Sequence, residues 1–308
     1  MRQDYNSLHL VLKDSGFDIK TRENISKVMK IIGMVFTYIV LILFAILVVF
    51  PFYWMIITSL KSGEEIQRLI PTYWPEVFVW SNYSEAMQRL NFGTLLTNTL
   101  IVGIFSTLGT LFTTIFAAFA FARLEFRGRD FMFSLLLATM MIPGEMMVIS
   151  NYTSVSLLGM TGGNRTGAYL AMILPFMISV FYIYLLRQNF KQIPNELYLA
   201  AKVDGKSDWA FLWKVMVPLA MPTLTTIFIL KLMGTWNAYV WPNLITTGHD
   251  ELKLISNGLR DSFNTAGDID DYGIQMAATV VVTVPLLLLF IIFRKYIMRG
   301  VGRAGIKG

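Results

Sequence analysis

Six apolar stretches, each about twenty residues or longer, restrict this chain more than any other feature of its sequence. Their approximate bounds are Ile31 to Ile57, Leu95 to Ala122, Phe131 to Ile149, Ala168 to Leu186, Val215 to Val240 and Met276 to Ile297. A helix rises about 1.5 Å per residue, so about 20 residues cross the ~30 Å hydrocarbon core of a bilayer. Hydrocarbon offers the backbone no hydrogen-bond partner, which leaves helices and closed barrels as the only spanning structures. Runs of this length predict helices. Composition agrees: 55% of residues are hydrophobic and 15% charged, where a water-soluble domain carries about a quarter charged. The expected fold class is all-α, a polytopic membrane protein with six transmembrane helices.

Orientation follows from the basic residues. With a cytoplasmic N-terminus, nineteen of the 26 Lys and Arg fall on segments facing the cytoplasm, and only Lys61, Arg68, Arg89, Arg165, Lys253 and Arg260 face outward. Both termini are then expected in the cytoplasm. Residues 1–30 read as a polar cytoplasmic arm, 31–298 as the six-span domain and 299–308 as a cytoplasmic tail. The first run is too long for a signal-peptide core and lacks a small-residue cleavage site, so it reads as a retained span. The net charge of +6 is the retention signal itself and requires no nucleic-acid partner. There is no cysteine, and His9 and His249 lie in separate polar segments, so no metal site is expected.

Within the second span, Ser106, Thr110, Thr114, Ala118 and Ala122 recur every fourth residue. They form a stripe of small side chains that lets another helix approach closely. Pro51, Pro143, Pro175, Pro222 and Pro285 fall inside or beside spans and predict kinks. In the loop 61–93, Tyr73, Trp74, Trp80 and Tyr83 suit an interfacial belt, with partner docking as the other reading. Gly159, Gly162, Gly163 and Gly167 mark a flexible outer loop.

The segment ELYLAAKVDGKSDWAFLWKVMVPLAMP, Glu196 to Pro222, is too elaborate for a simple reversal between spans four and five. Pro194 suits a first helical turn, from which a short helix runs through Val203. Gly205 stops it in the left-handed conformation, Ser207 caps a second helix, and Asp208 lies in that helix's first turn. The alanines Ala200 and Ala201 on an exposed face would allow close approach by a groove on another protein. An amphipathic helix lying on the membrane surface is the competing reading.

This segment resembles the EAA loop of permease subunits of binding-protein-dependent ABC importers, matching at Ala200, Ala201, Asp204, Gly205, Val217, Pro218 and Pro222. It departs at Leu199, where the family usually has its glutamate; Glu196 lies one helical turn earlier, and whether it substitutes stays open. NTLIVGIFSTLGTL, FARLEFRGRD, MMIPGEMMVIS, GTWNAYVWP and the tail RGVGRAGIKG look like the carbohydrate-uptake branch, in particular the shorter permease of maltose-type importers. The resemblance implies a bacterial inner-membrane protein paired with a second, homologous permease, an ATPase dimer and an extracytoplasmic sugar-binding protein. It implies that Glu196, Leu199, Ala200, Ala201, Asp204 and Gly205 form a coupling helix to the ATPase, which alone binds ATP and magnesium. No catalytic residue and no cofactor are expected in this chain: it has no GxxxxGK[ST] loop, and Gly300 to Gly305 matches GxGxxG without a strand-turn-helix context. The resemblance further implies that the loop from Thr247 to Tyr272, with Asp250, Glu251, Asp261, Asp268, Asp270 and Asp271, faces the binding protein. A solvated face is the other reading of these acids. The tail from Arg299 to Gly308 resembles a segment reaching toward the ATPase interface, with snorkelling of Arg294, Lys295 and Arg299 as the alternative.

Two charges, Glu145 and Lys231, lie within spans, where each costs about 2.5 to 3.5 kcal/mol at the bilayer centre and must face protein or water. Counted along straight helices they reach comparable depths, so either an ion pair or contacts to a sugar in the pathway is expected. Trp236, Asn237 and Trp241 are further pathway candidates, with interfacial anchoring competing for Trp241. An intramembrane enzyme would need a nucleophile with a base or paired carboxylates, and the spans offer one carboxylate, one amine and no histidine. An importer permease for a non-sugar solute and a stand-alone secondary carrier remain as alternatives; the carrier would not require the docking corner.

Overall fold

In the computed structural model the chain is described over residues 2–263 and 271–302, with side chains described for 27–263 and 271–295. All regular structure among these residues is helical. The chain divides into two compact units, 1–58 and 59–308.

The first unit is one helix, α1 (Arg2–Thr58). Residues 2–30 contain no proline, so nothing in the backbone separates the expected polar arm from the first span, and the two share a helix. From Val28 to Phe52 its apolar side chains, Val40 excepted, are exposed.

The second unit opens with α2 (Gly63–Ile66) and α3 (Ser81–Arg89). The Glu65 carboxylate accepts from the Thr72 hydroxyl and from the Glu76 amide at 3.2 Å, while the Lys61 ammonium donates to the Thr72 carbonyl. The Asn82 amide donates to the Ser59 and Lys61 carbonyls, both at 3.0 Å. Tyr73, Trp74 and Trp80 are exposed, whereas the Tyr83 hydroxyl pairs with Ser59 at 2.7 Å.

Helix α4 (Phe92–Arg123) is uninterrupted, and several of the unit's helices pack against it. Next come α5 (Arg129–Ala138), α6 (Val148–Leu157), α7 (Arg165–Ile173) and α8 (Val180–Gln192). They are followed by α9 (Asn195–Val203), α10 (Asp208–Phe211), a π turn at Leu212–Met216, α11 (Val217–Leu219) and α12 (Met221–Trp236). The chain ends in α13 (Val240–Ile245), α14 (Ile255–Ser262) and α15 (Tyr272–Gly302). Among the described residues, only Lys27–Thr58, Phe92–Arg123 and Tyr272–Lys295 are single helices long and apolar enough to cross a bilayer. The other three expected spans are bent pairs: 129–157 turns by 89°, 165–192 by 48° and 208–236 by 75°. Six is therefore the count only when each bent pair serves as one span.

Proline explains the bends. Ile142 is extended (φ −83°, ψ 117°), as the residue before Pro143 must be to avoid the ring, and Pro175 and Pro222 sit at the other two breaks. A broken helix frees carbonyls that must find donors. The Phe176 carbonyl accepts from Thr110 at 3.1 Å and from the Lys231 ammonium at 3.1 Å, and the Met177 carbonyl accepts from Thr113 at 2.6 Å. The small-residue stripe of α4 thus does more than permit close packing. Ser106, Thr110, Thr114 and Ala118 are buried as expected, and the hydroxyl of Thr110 supplies a donor to the broken fourth pair. Contact is close enough that a Cβ at Gly103 would stand 2.9 Å from Leu232, and one at Gly109 would stand 2.3 Å from Met177.

Arg187 of α8 ties three elements together. Its Nε donates to the Phe121 carbonyl at 3.0 Å, its guanidinium lies 3.8 Å over the Phe133 ring, and Asp130 stands 3.7 Å away. Only 5% of Arg187 is exposed, so Arg187→Met leaves the Phe121 carbonyl without this donor and is expected to cost about 2 to 3 kcal/mol. A thermal melt of the purified variant checks this; an unchanged midpoint would contradict it.

Candidate functional site

Two constellations stand out. The first is the corner between α8 and α10. Pro194 precedes α9 in an extended conformation and Gly205 follows it at φ +70°. The Lys206 amide donates to the Ala201 carbonyl at 2.9 Å and the Gly205 amide to the Lys202 carbonyl at 3.0 Å, which together satisfy the carbonyls a helix end leaves open. Ser207 caps α10, accepting from the Ala210 amide at 3.3 Å. The glycine stop at Gly205 and the Ser207 cap are as the sequence predicts; Pro194, expected in the first helical turn, instead stands one residue before it.

The corner is also clasped. Asp208 accepts from the Tyr198 hydroxyl at 2.8 Å and pairs with Lys202 at 2.7 Å, and this partner holds the Lys202 ammonium above the usual lysine range. Tyr198 stacks edge-on against Phe211, with ring centres 5.1 Å apart, while Trp209 and Trp213 contact Phe116 of α4. Arg123, the last residue of α4, donates to the Phe190 carbonyl at 2.8 Å, to the Ile193 carbonyl, and to Asn195 Oδ1 at 3.2 Å. The start of α9 is thereby bolted to the end of α4.

Glu196, Leu199, Ala200 and Val203 are exposed, and their spacing places them on one face of α9. Asp204 and Gly205 are exposed beyond them. Ala201 differs from the expectation of two outward alanines. It is partly buried and packs with Tyr198 against the core cluster that contains Phe190, Phe211 and Leu212, because residues 198 and 201 share the inner face. Arg123 and Tyr198 are functional candidates that sequence reading missed. Arg123 belongs to a quoted motif, but its partners lie about 70 residues away.

The second constellation is a partly open cavity of about 540 Å³ whose walls include Ser106, Phe176, Tyr182, Lys231, Thr235 and Tyr239. This is within the usual range of small-molecule sites. Lys231 enters it; Glu145 does not. Glu145 is exposed on the 3₁₀ turn Gly144–Met147 after Pro143, and no carboxylate among the described residues lies within 4 Å of the Lys231 ammonium. The expected ion pair is absent because depths counted along straight helices do not survive an 89° bend. Trp236 is 5% exposed and packs with Leu90, Leu95 and Ile255 away from the cavity, its indole N–H without a partner among the described residues. Asn237 is exposed and folds back to donate to the Met233 carbonyl at 3.0 Å. Trp241 is no interfacial anchor: it is buried in the cavity wall, donating to the Ala171 carbonyl at 3.1 Å.

The loop acids are largely engaged. Lys253 pairs with Asp250 at 2.6 Å and with Asp261 at 2.8 Å, Arg89 pairs with Asp271 at 2.5 Å, and Glu251 stands 3.5 Å from His249. Asp268 and Asp270 lie outside the described residues, as do the tail residues 303–308 and with them the end of the GxGxxG match. Among the described residues no cluster of His, Asp and Glu suits a metal ion.

Apolar helices broken at prolines beside a largely apolar cavity with a few polar groups, together with a helix-glycine-helix corner, are features suited to a membrane permease. The comparisons make this specific. The chain belongs to the binding-protein-dependent transport system inner membrane component family, whose profile matches residues 109–303. It is 29% identical over 270 residues to the diacetylchitobiose uptake system permease protein NgcG of Streptomyces coelicolor, covering 87% of each chain. It is 28% identical over 270 residues to the arabinooligosaccharides transport system permease protein AraQ of Bacillus subtilis, covering 86% of this chain and 92% of that one. Against the sn-glycerol-3-phosphate transport system permease protein UgpE of Yersinia pestis the identity is 26% over 272 residues, covering 86% and 95%. The fold is similar to that in a crystal structure of a bacterial ABC transporter involved in the import of the acidic polysaccharide alginate, with a TM-score of 0.76, 24% identity and coverage of 87% and 96%.

Proposed function

We propose that this chain is the transmembrane permease subunit of an ATP-driven importer for a carbohydrate. It forms half of the pathway with a second, homologous permease and receives solute from an extracytoplasmic binding protein. Its termini and the α9 corner face the cytoplasm of a bacterial cell, each bent pair crosses the membrane once, and a separate ATPase dimer supplies ATP and magnesium chemistry. Relatives named for oligosaccharide uptake support the substrate class. The relative named for glycerol 3-phosphate supports a second reading, in which the solute is not a sugar.

The observation that carries the coupling role is the outward face of α9. Leu199 is 55% and Val203 88% exposed on a short helix whose other face packs inward through Tyr198 and Ala201 and whose first residue, Asn195, accepts from Arg123. Apolar side chains held rigidly at helical spacing are what a groove on a partner can grip, so movement of that partner reaches α4 and α12 without loss in a flexible loop.

The test is purification of the affinity-tagged chain from membranes, with cysteine introduced by Ala200→Cys. Co-purification of a second permease and an ATPase, and crosslinking of the ATPase by a thiol-to-amine reagent attached at position 200, is the expected result. A chain that purifies alone and drives uptake from an ion gradient would overturn the proposal. So would labelling of Lys202 from outside the cell.

A further inference from the structure

We propose that Lys231 makes the cavity a subsite for an anionic carbohydrate, a carboxylated or phosphorylated sugar. This rests on reading the cavity as part of the translocation pathway. An ammonium within a membrane span needs compensation. Lys231 is half-buried, and its compensation here is one backbone carbonyl, that of Phe176 at 3.1 Å, together with the Phe176 ring at 5.7 Å. An ammonium carries three donors, so two remain to be directed at whatever occupies the cavity.

No Asp or Glu is among the residues lining the cavity. Outside that lining, the Arg260 guanidinium lies 4.6 Å over the ring of Tyr239, which is itself a lining residue. The remaining chemistry suits a sugar. Ser179, Tyr182 and Tyr239 bring hydroxyls, and Phe176 and Trp241 bring aromatic surface at 5.5 Å from one another. A neutral sugar would use the hydroxyls and rings but leave the charge unanswered. A carboxylate or phosphate answers it through charge-assisted hydrogen bonds, the stronger kind.

The experiment uses the full complex that co-purifies with the chain, in lipid nanodiscs, and reads its melting midpoint against galacturonate, galactose 1-phosphate and galactose at matched ionic strength. A ligand that binds only the folded form raises the midpoint with its concentration. Saturable stabilisation by one or both anions, at apparent affinity at least about tenfold tighter than for galactose, is expected. Which anion is preferred separates the carboxylated from the phosphorylated substrate. Lys231→Met should erase the preference, and Lys231→Arg should retain most of it.

Equal stabilisation by galactose, no stabilisation by either anion, or an anion preference that survives in Lys231→Met would each overturn the proposal. A lower melting point in Lys231→Met with the preference intact would assign Lys231 to an ion pair with the other permease and would also overturn it. The importer reading is tested separately in the same samples, by the presence of the ATPase and its hydrolysis of ATP.

Discussion

Arg123→Met is expected to leave the complex assembled while lowering ATP-driven uptake by more than about tenfold. The guanidinium donates to two backbone carbonyls and a side-chain amide at the junction of α8 and α9, a fork that no other residue type reproduces. Methionine keeps much of the apolar stem, so the packing around Phe190 and Ile193 is disturbed little, but those two carbonyls lose this donor. Each lost bond at a buried group costs about 1 to 3 kcal/mol, enough to let the start of α9 swing away from α4. If the partner moves α9 and α4 no longer follows, hydrolysis continues without transport. Solute uptake into vesicles, measured beside ATP hydrolysis, separates the two. Arg123→Lys should fall between, since one ammonium cannot reach all three acceptors in fixed geometry. Coupled uptake at the original level in Arg123→Met would remove the bolt from the mechanism.

Gly205→Val is the second large effect. Its φ of +70° lies where a Cβ collides with its own backbone, at about 1 to 2 kcal/mol for an ordinary residue and more for a β-branched one. Nothing lies within 4 Å of where that Cβ would stand, so the cost is conformational and not steric crowding from elsewhere in the chain. The variant must unwind the bonds from Lys206 to Ala201 and from Gly205 to Lys202, which changes the angle at which α9 leaves α10. Uptake is expected to fall at least about tenfold, whereas Gly205→Asn, which tolerates the left-handed region, should retain most of it. Equal loss in both variants would assign the glycine to a partner contact; full activity in the valine variant would discard the corner's geometry as a requirement.

Much of the corner was legible because its determinants are local. Gly205, Ser207 and Asp208 act on backbone within a few residues of themselves and do in the structure what their chemistry predicts, whereas Pro194 stands one residue before the helix and not in its first turn. The face of α9 was legible only in part. Helical spacing groups Glu196, Leu199, Ala200 and Val203, but that Ala201 turns inward depends on Tyr198, Phe211 and Leu212 meeting beside it. The cavity was mostly illegible. Its walls come from α4, the broken segment after α7, α8, α12 and the turn beyond it, and Trp236 and Asn237 miss it although Thr235 and Tyr239 line it.

The sequence by itself determined that this chain is helical, suited to a membrane, and equipped with a capped, glycine-cornered turn between its fourth and fifth apolar stretches. Length, hydropathy and backbone preferences act over a turn or two of helix, so no distant contact is needed to read them. Only the tertiary structure decided that three stretches bend by 48° to 89°, that Lys231 meets the Phe176 carbonyl instead of Glu145, and that Arg123 grips the start of α9. Those outcomes depend on where a proline break points the chain in space and on which carbonyls it leaves to be satisfied, and both are properties of the packed bundle.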